Sequence, residues 1–525
     1  MEYKNFTQLK SFKKLKDIEP FDLKSGLNKD RIEKYQTNNG TQLNYSYATM
    51  PINDKHLELF QELSEEQSLI EKYKLLLNGE RINTGENRCV LHQLTRGQLL
   101  NDVEIDGENK GEFYKSQLNR IKDFSNKVRN GEIVGSTNKK FDTVVQIGIG
   151  GSDLGPRALY LALKGYVAAQ DKQIIDAKFI SNVDPDDVSD VTKDIDFETT
   201  LFVLVSKSGT TQETLTNKDL VFDTLKSCNI EGFIPSKHMI AVTSKTSPLA
   251  DSDEVLDAFF IDDYIGGRYS STSAVGGVIL SISLGFETFN DLLKGANEAD
   301  KNALNENVVE NAALLDAMIG VYLRNSLNLP STAVLPYSQA LSRFPAHLQQ
   351  LDMESNGKHV NRFGEDINYS TGPVILGEPG TNGQHSFYQL LHQGTDIIPL
   401  QFIGFKKSQF EKDIVVDKST SQEKLNANLT AQIVAFAIGK DDENPNKVFE
   451  GNRYSSLISA NQLTPSVLGA LLAHFENKVM FQGFIWNLNS FDQEGVQLGK
   501  ILAKKVLNGC EGDELLIAYS SLLNN

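Results

Sequence analysis

"TLFVLVSKSGTTQET", residues 200–214, decides the fold. Its first half is an unbroken run of β-type residues, the pattern of a strand buried on both faces. Its second half changes abruptly to Ser206, Lys207, Ser208, Gly209, Thr210 and Thr211. Thr210 and Glu213 have the spacing of a capping box, so the sequence predicts a helix starting here. A strand that ends in a polar turn and feeds a helix is one unit of an α/β sheet. Ligands of such sheets gather at the carboxyl ends of the strands. A helix N-terminus there offers free N–H groups and a positive dipole end to an anion. Ser206, Lys207, Ser208, Thr211 and Thr214 add hydroxyl donors and one cation, and together they read as a phosphate cradle.

Working outward, "DTVVQIGIGG" (142–151) is a second buried strand running into a glycine-rich turn. "KFISNVDP" (178–185), "MIAVTS" (239–244) and "AFFIDD" (258–263) are further strand candidates. Helical stretches such as "DLGPRALYLALKGY" and "QETLTNKDLVFDTLKS" alternate with them, which predicts a parallel sheet flanked by helices. A second unit of this kind starts near residue 289. Its strand or mixed candidates are "STAVLPYS", "GPVILGEPG", "DIIPLQFIGF" and "LTAQIVAFAIG". "GVQLGKILAKKVLNG" (495–509) reads as an amphipathic C-terminal helix. Residues 1–115 are polar, rich in Lys and Glu, and helix-prone. The expected division is therefore a helical N-terminal region (1–115), a first α/β domain (116–288) and a second α/β domain with the C-terminal helix (289–525).

Bulk composition narrows the function. The chain has 525 residues, 40% of them hydrophobic and 23% charged, as expected of a soluble folded protein. A formal net charge of −17 repels nucleic acid and anionic membrane, so neither is an expected partner. It would repel a phosphorylated metabolite too, so a phosphate site must be built from local donors. The three scattered cysteines, Cys89, Cys228 and Cys510, point to reduced thiols and a cytoplasmic protein. The N-terminus has no signal-peptide apolar region. The most apolar stretch, "SAVGGVILSISLGF" (273–286), is short and broken by Gly and Ser, and reads as a buried helix.

A second loop, "GIGGSDLGP" (148–156), follows its strand in the same layout, with Ser152 as a further donor. It lacks the spacing of a dinucleotide fingerprint, and neither loop has the order of a nucleotide P-loop. Two hydroxyl-rich turns together favour a small phosphate monoester.

Acid–base candidates lie downstream. "HLQQLDMESNGKHV" (347–360) reads as a helix closing at Asn356-Gly357, with Gln350 and Glu354 on one face. Glu354, beside Leu351 and Met353, is a candidate general base. "GTNGQHSFYQLLHQGTD" (380–396) places His385 on a glycine-rich loop, with Ser386 and Gln389 as another capping-box pair. At a helix N-terminus its imidazole would stay neutral and able to shuttle a proton. His392 reads as structural. "GGRYSSTSAVGG" (266–277) sets Arg268 behind two glycines, where it can stabilise an oxyanion or simply be a surface arginine. Gln493, Gln497 and Lys500 share one face of the C-terminal helix, which is either solvated or part of a site. The histidines show no metal-ligand spacing, and no metal is expected.

Taken together and in this order, "GIGGSDLGP", "SKSGTTQET", "GGRYSSTSAVG", "MESNGK", "GQHSFYQLLHQG" and "FDQEGVQLGK" closely resemble the glucose-6-phosphate isomerase family. "NRCVLHQLTR" (87–96) resembles a further N-terminal block. The resemblance implies two sugar-isomerase domains and interconversion of glucose 6-phosphate and fructose 6-phosphate, with no cofactor or metal. By position in these motifs, Glu354 resembles the base that moves a proton between C2 and C1. Arg268 resembles the group that stabilises the enediolate, and His385 and Lys500 the ring-opening pair. Ser206 to Thr211 with Thr214 resemble the phosphate cradle. Gly151, Ser152, Gln350 and Gln493 resemble further sugar contacts. In the family the histidine comes from the neighbouring subunit, which implies a homodimer with shared sites. The sequence departs from many relatives at Ser208-Gly209 and at Glu494, next to contacts rather than at them. The competing reading is a non-catalytic sugar-phosphate-binding regulator on the same fold.

Overall fold

A computed structural model describes residues 2–523. The N-terminal stretch is mainly helical, but it also contributes strands β1 (Gln36–Asn38) and β2 (Asn44–Ser46) and a small hairpin, β3 (Glu104–Ile105) with β4 (Glu108–Asn109). The first large sheet follows: β5 (Thr143–Ile147), β6 (Asp176–Ile180), β7 (Thr200–Val205), β8 (Met239–Ser244) and β9 (Ala258–Ile261). All are parallel, in the order β6-β5-β7-β8-β9. Every residue of β7 is buried, as its apolar run requires of a central strand covered on both faces.

The second sheet holds β10 (Ser331–Pro336), β11 (Val374–Leu376), β12 (Leu400–Lys407) and β13 (Ser455–Gln462). These four are parallel, in the order β11-β10-β12-β13. β2 pairs antiparallel with β13, and β1 pairs with β2, so the N-terminus closes this sheet. The two sheets share a 2-1-3-4 order among their first four strands. In each, the chain moves to one side of its first strand and then crosses to the other. That crossing creates a switch point, β5/β7 in the first sheet, where the loops leaving adjacent strands diverge and open a crevice.

One expectation needs correction. "LTAQIVAFAIG" is not a strand; it ends the helix Ser421–Ile438. Thr420 and Glu423 form a capping box that starts this helix, and of its apolar run Leu429, Phe436 and Ala437 are buried while Val434 and Ile438 stay exposed. The strand of that region is β13, whose sequence SSLISANQ reads as too polar to stand out. The apolar segment near 280 is, as expected, a helix, Ala274–Leu284, with every residue buried.

The core joins the two halves. The helix Pro465–Ile485 is almost wholly buried and packs on the helix Phe286–Asn302. At Gly295 a Cβ would lie 1.9 Å from the Ser466 carbonyl oxygen, and at Gly469 another would lie 1.9 Å from that of Leu292. The two backbones touch, and only glycine fits at either position.

Candidate active site

The loops after β5 and β7 lie side by side because their strands are hydrogen-bonded neighbours. Gly151 in the first loop would place a Cβ 2.2 Å from the backbone of Gly267, so the turn Gly267–Thr272 packs directly on that loop. Arg268 is thereby brought next to the crevice at the head of the first sheet.

In the second loop, buried Ser206 accepts a hydrogen bond from the Gly209 N–H at 3.1 Å and its Oγ lies 3.1 Å from Thr211 Oγ1. Gly209 has φ +67° and sits against Ser247, whose Oγ would be 2.2 Å from any added Cβ. Thr210 folds back on Ser208, through its N–H at 3.2 Å and its hydroxyl at 2.9 Å. The expected Thr210–Glu213 capping box does not form. The helix Gln212–Ser227 begins after Thr211, with no side chain capping its first turn. Its N-terminal N–H groups therefore remain available to an anion. Thr214 Oγ1 is buried and unpartnered in the same turn. Lys207 is not a free cation: its Nζ lies 3.5 Å from Asp263, which also pairs with Arg88 at 3.5 Å.

The base candidate sits on irregular helix. Phe344–Gln349 is α-helical, but Gln350–Glu354 is a π-helical turn, a widened form that recurs at functional sites. Helical geometry resumes at Ser355 and Asn356, so the end of the helix falls where the sequence predicts. Gln350 and Glu354 both reach one cavity of about 780 Å³. Gly151, Ser152, Ser206, Lys207, Ser208, Thr211 and Thr214 line it from the first sheet's loops. Gln493 and Lys500 line it from the C-terminal segment, as does Gln497. Gly209 and Thr210 shape the second loop without facing this cavity.

The electrostatic centre is Arg268, whose side chain is fully buried. Its Nε donates to Ser355 Oγ at 2.6 Å. Its Nη2 donates to the carbonyls of Ser490 at 2.7 Å and Asp492 at 2.9 Å. Nη1 has no hydrogen-bond partner and lies 3.6 Å from Glu354 Oε2, which is itself buried and unbonded. Gln350 Oε1 is a third unpartnered buried atom of this site. Buried polar groups without partners are costly, and these three, grouped beside one cavity, leave a donor and two acceptors free for a ligand's polar atoms.

Reading residue types in sequence missed the groups that hold this centre. Ser355, the carbonyls of Ser490 and Asp492, and Lys358 all serve it. Lys358 donates to the Asn489 carbonyl at 3.1 Å and pairs with the Asp492 carboxylate. Ser355 and Lys358 fall within "MESNGK" and Asp492 within "FDQEGV", while Ser490 lies just before the latter.

His385 stands apart. It lies at the end of the turn Asn382–His385 beyond β11, is exposed, and does not line the cavity. The Ser386–Gln389 capping box is also absent, since the helix Tyr388–Gln393 starts after Phe387 without a side-chain cap. His392 is structural as expected: its ring stacks on Phe436 at 3.7 Å and meets Gln432 at 2.8 Å.

Comparison with known sequences adds a decisive observation. The pattern of the family described as phosphoglucose isomerase matches residues 45–524. The chain belongs to this family. The glucose-6-phosphate isomerase of Treponema denticola is 61% identical over all of both chains. That of Borreliella afzelii is 50% identical over 99% of this chain and 98% of its own. The crystal structure of a glucose-6-phosphate isomerase from Chlamydia trachomatis superimposes with a TM-score of 0.92 at 42% identity, covering 99% of each chain. For a phosphoglucose isomerase family member, the hydroxyl-lined helix start beside a carboxylate and an arginine is a coherent grouping: one part suits a phosphate, the other suits proton transfer at a polarised carbon.

Proposed function

We infer that this protein interconverts D-glucose 6-phosphate and D-fructose 6-phosphate. The observation that carries the reading is the facing pair of Glu354 and Arg268, unsatisfied at 3.6 Å beside the cavity that the phosphate-type loop also lines. In this reading the phosphate is a handle. The helix start at 212 and the hydroxyls of Ser206, Thr211 and Thr214 hold it, while Gly151, Ser152, Gln350 and Gln493 contact the sugar. Lys500, with His385 of the partner subunit, opens the ring. Glu354 removes the C2 proton and returns it to C1. The Arg268 Nη1 donors face the oxygen on which negative charge grows, a charge present in the enediolate and not in the substrate. Anchoring the remote phosphate lets its binding energy position the reacting carbons.

His385 is exposed and away from the cavity of its own chain, which supports a site completed by a second copy related by a two-fold axis. The division at residues 115 and 288 and a cytoplasmic location belong to the same proposal. None of the described helices is long and apolar enough to cross a membrane. A non-catalytic sugar-phosphate regulator has nothing in its favour, since base and arginine are both in place.

The direct test is a coupled assay that converts fructose 6-phosphate to glucose 6-phosphate and detects the latter with a dehydrogenase. Turnover supports the reading; tight binding without turnover refutes it. The handle has its own test. Ser206→Ala with Thr211→Ala removes hydroxyl donors to a dianion, each worth about 1.5–3 kcal/mol. Calorimetry should show weakened binding of a phosphorylated sugar and little change for the unphosphorylated one. Equal losses for both would assign this loop to something other than phosphate.

A further inference from the structure

Arg268 and Glu354 come from different elements, yet their spacing must hold to a fraction of an ångström for one to stabilise charge that the other creates. Two buried hydroxyls join those elements. Ser355, the residue after Glu354, accepts from Arg268 Nε at 2.6 Å. Tyr269, the residue after Arg268, has its hydroxyl 2.9 Å from the same Ser355 Oγ. The Tyr269 ring cannot swing away: His92 packs on it with ring centroids 4.5 Å apart, and Phe491 lies at 5.5 Å. Arg268, Tyr269 and Ser355 are all at most 1% exposed, so water does not compete for these bonds.

We propose that Ser355 and Tyr269 are a positioning pair for the isomerisation, tying the Arg268 turn to the Glu354 turn and fixing the guanidinium so that its Nη1 donors face the reacting carbons. Counting hydrogens supports this. A guanidinium has five N–H groups. Ser355 takes the one on Nε and two carbonyls take those on Nη2, which leaves the two on Nη1 for the substrate. Ser355 is the only hydroxyl among these three anchors, and the Tyr269 hydroxyl holds it in place. Burial keeps the Tyr269 phenol above its ordinary pKa, so it remains protonated and available as a donor at neutral pH. Without this pair the guanidinium keeps its two carbonyl contacts but gains a rotation about them, and the loss falls on the transition state rather than on the bound sugar.

The inference rests on Arg268 acting at the reacting carbons, so Arg268→Ala is measured alongside. Ser355→Ala is expected to lower kcat about 10–100-fold and Tyr269→Phe about 5–20-fold, with KM for fructose 6-phosphate within about threefold of wild type. The double variant should be no worse than about twice as slow as Ser355→Ala alone, since the two hydroxyls act through one bond. Affinity for a hydroxamate that mimics the enediolate should fall in step with kcat/KM, while affinity for a phosphorylated sugar alcohol stays unchanged. Ser355→Thr, which keeps the hydroxyl, should recover activity to within about fivefold. Tyr269→Phe removes only one oxygen and serves if Ser355→Ala does not fold. Rates within twofold of wild type for both single variants, or multiplicative losses in the double variant, overturn the positioning role. So does equal weakening of the hydroxamate and the sugar alcohol. Wild-type turnover by Arg268→Ala instead removes the assignment of Arg268 itself.

Discussion

Glu354→Gln is expected to lower kcat by about 10²–10⁴-fold or more while leaving substrate affinity nearly intact. The amide keeps the shape of the side chain and can still accept a hydrogen bond, but it cannot take a carbon-bound proton. Glu354 Oε2 makes no hydrogen bond within the protein, and Arg268, its ion-pair partner at 3.6 Å, keeps three other hydrogen bonds, so the fold should hold. Two observations locate the loss in the chemical step. Its nearest cation, Arg268, is already fixed by three other bonds, and the phosphate-type loop is built from other residues. Steady-state kinetics in both directions, with thermal unfolding as a control, make the check. Near-normal turnover would move the base elsewhere in the cavity.

Two inactive variants are expected to restore one another. His385→Ala should be nearly inactive if the histidine opens the ring, and Glu354→Gln for the reason above. If His385 serves the neighbour's Glu354 and Arg268, a mixed dimer has one site with both defects and one with neither. Random exchange makes about half of all dimers mixed, each with one intact site, so about a quarter of the wild-type activity per site should return. Exchange is verified by mass-tagging one variant. No recovery after proven exchange would place both residues in one chain's site and leave the dimer without a catalytic reason.

Much of the fold was legible because its strands are buried on both faces. The runs at 143–147, 200–205 and 239–244 are mostly apolar and β-branched, and a glycine- or serine-rich turn follows the first two. The polar strands were not legible. β1 (QTN) and β2 (NYS) carry no periodic signal and exist because β13, some 410 residues away in sequence, offers β2 an edge. β13 itself was overlooked, while the apolar end of the helix Ser421–Ile438 attracted a strand reading. At the site, residue types pointed to the loop at 206–214, and motif resemblance pointed to Glu354, Arg268, His385 and Lys500. Neither reveals that Arg268 is held by Ser355 and by carbonyls of a segment over 200 residues downstream, because that is decided by tertiary packing. Nor does sequence reveal the π-helical turn beneath Glu354, or the Asp263 carboxylate that engages Lys207. Neither proposed capping box at the loops forms, because each helix starts one residue later than its pattern implies, after Thr211 and after Phe387.

The measurement that bears most directly on the central claim is the fate of the hydrogen at C2. Glucose 6-phosphate deuterated at C2 is incubated in ordinary water, and its loss of label and its conversion to fructose 6-phosphate are followed together by NMR. With the wild-type protein, both should proceed, and part of the label should reach solvent, because a carboxylate that holds the proton between C2 and C1 can exchange it. With Glu354→Gln, exchange and isomerisation should fall by the same large factor. Exchange that continues at the wild-type rate in Glu354→Gln would contradict the assignment of Glu354 as the base and, with it, this account of the site.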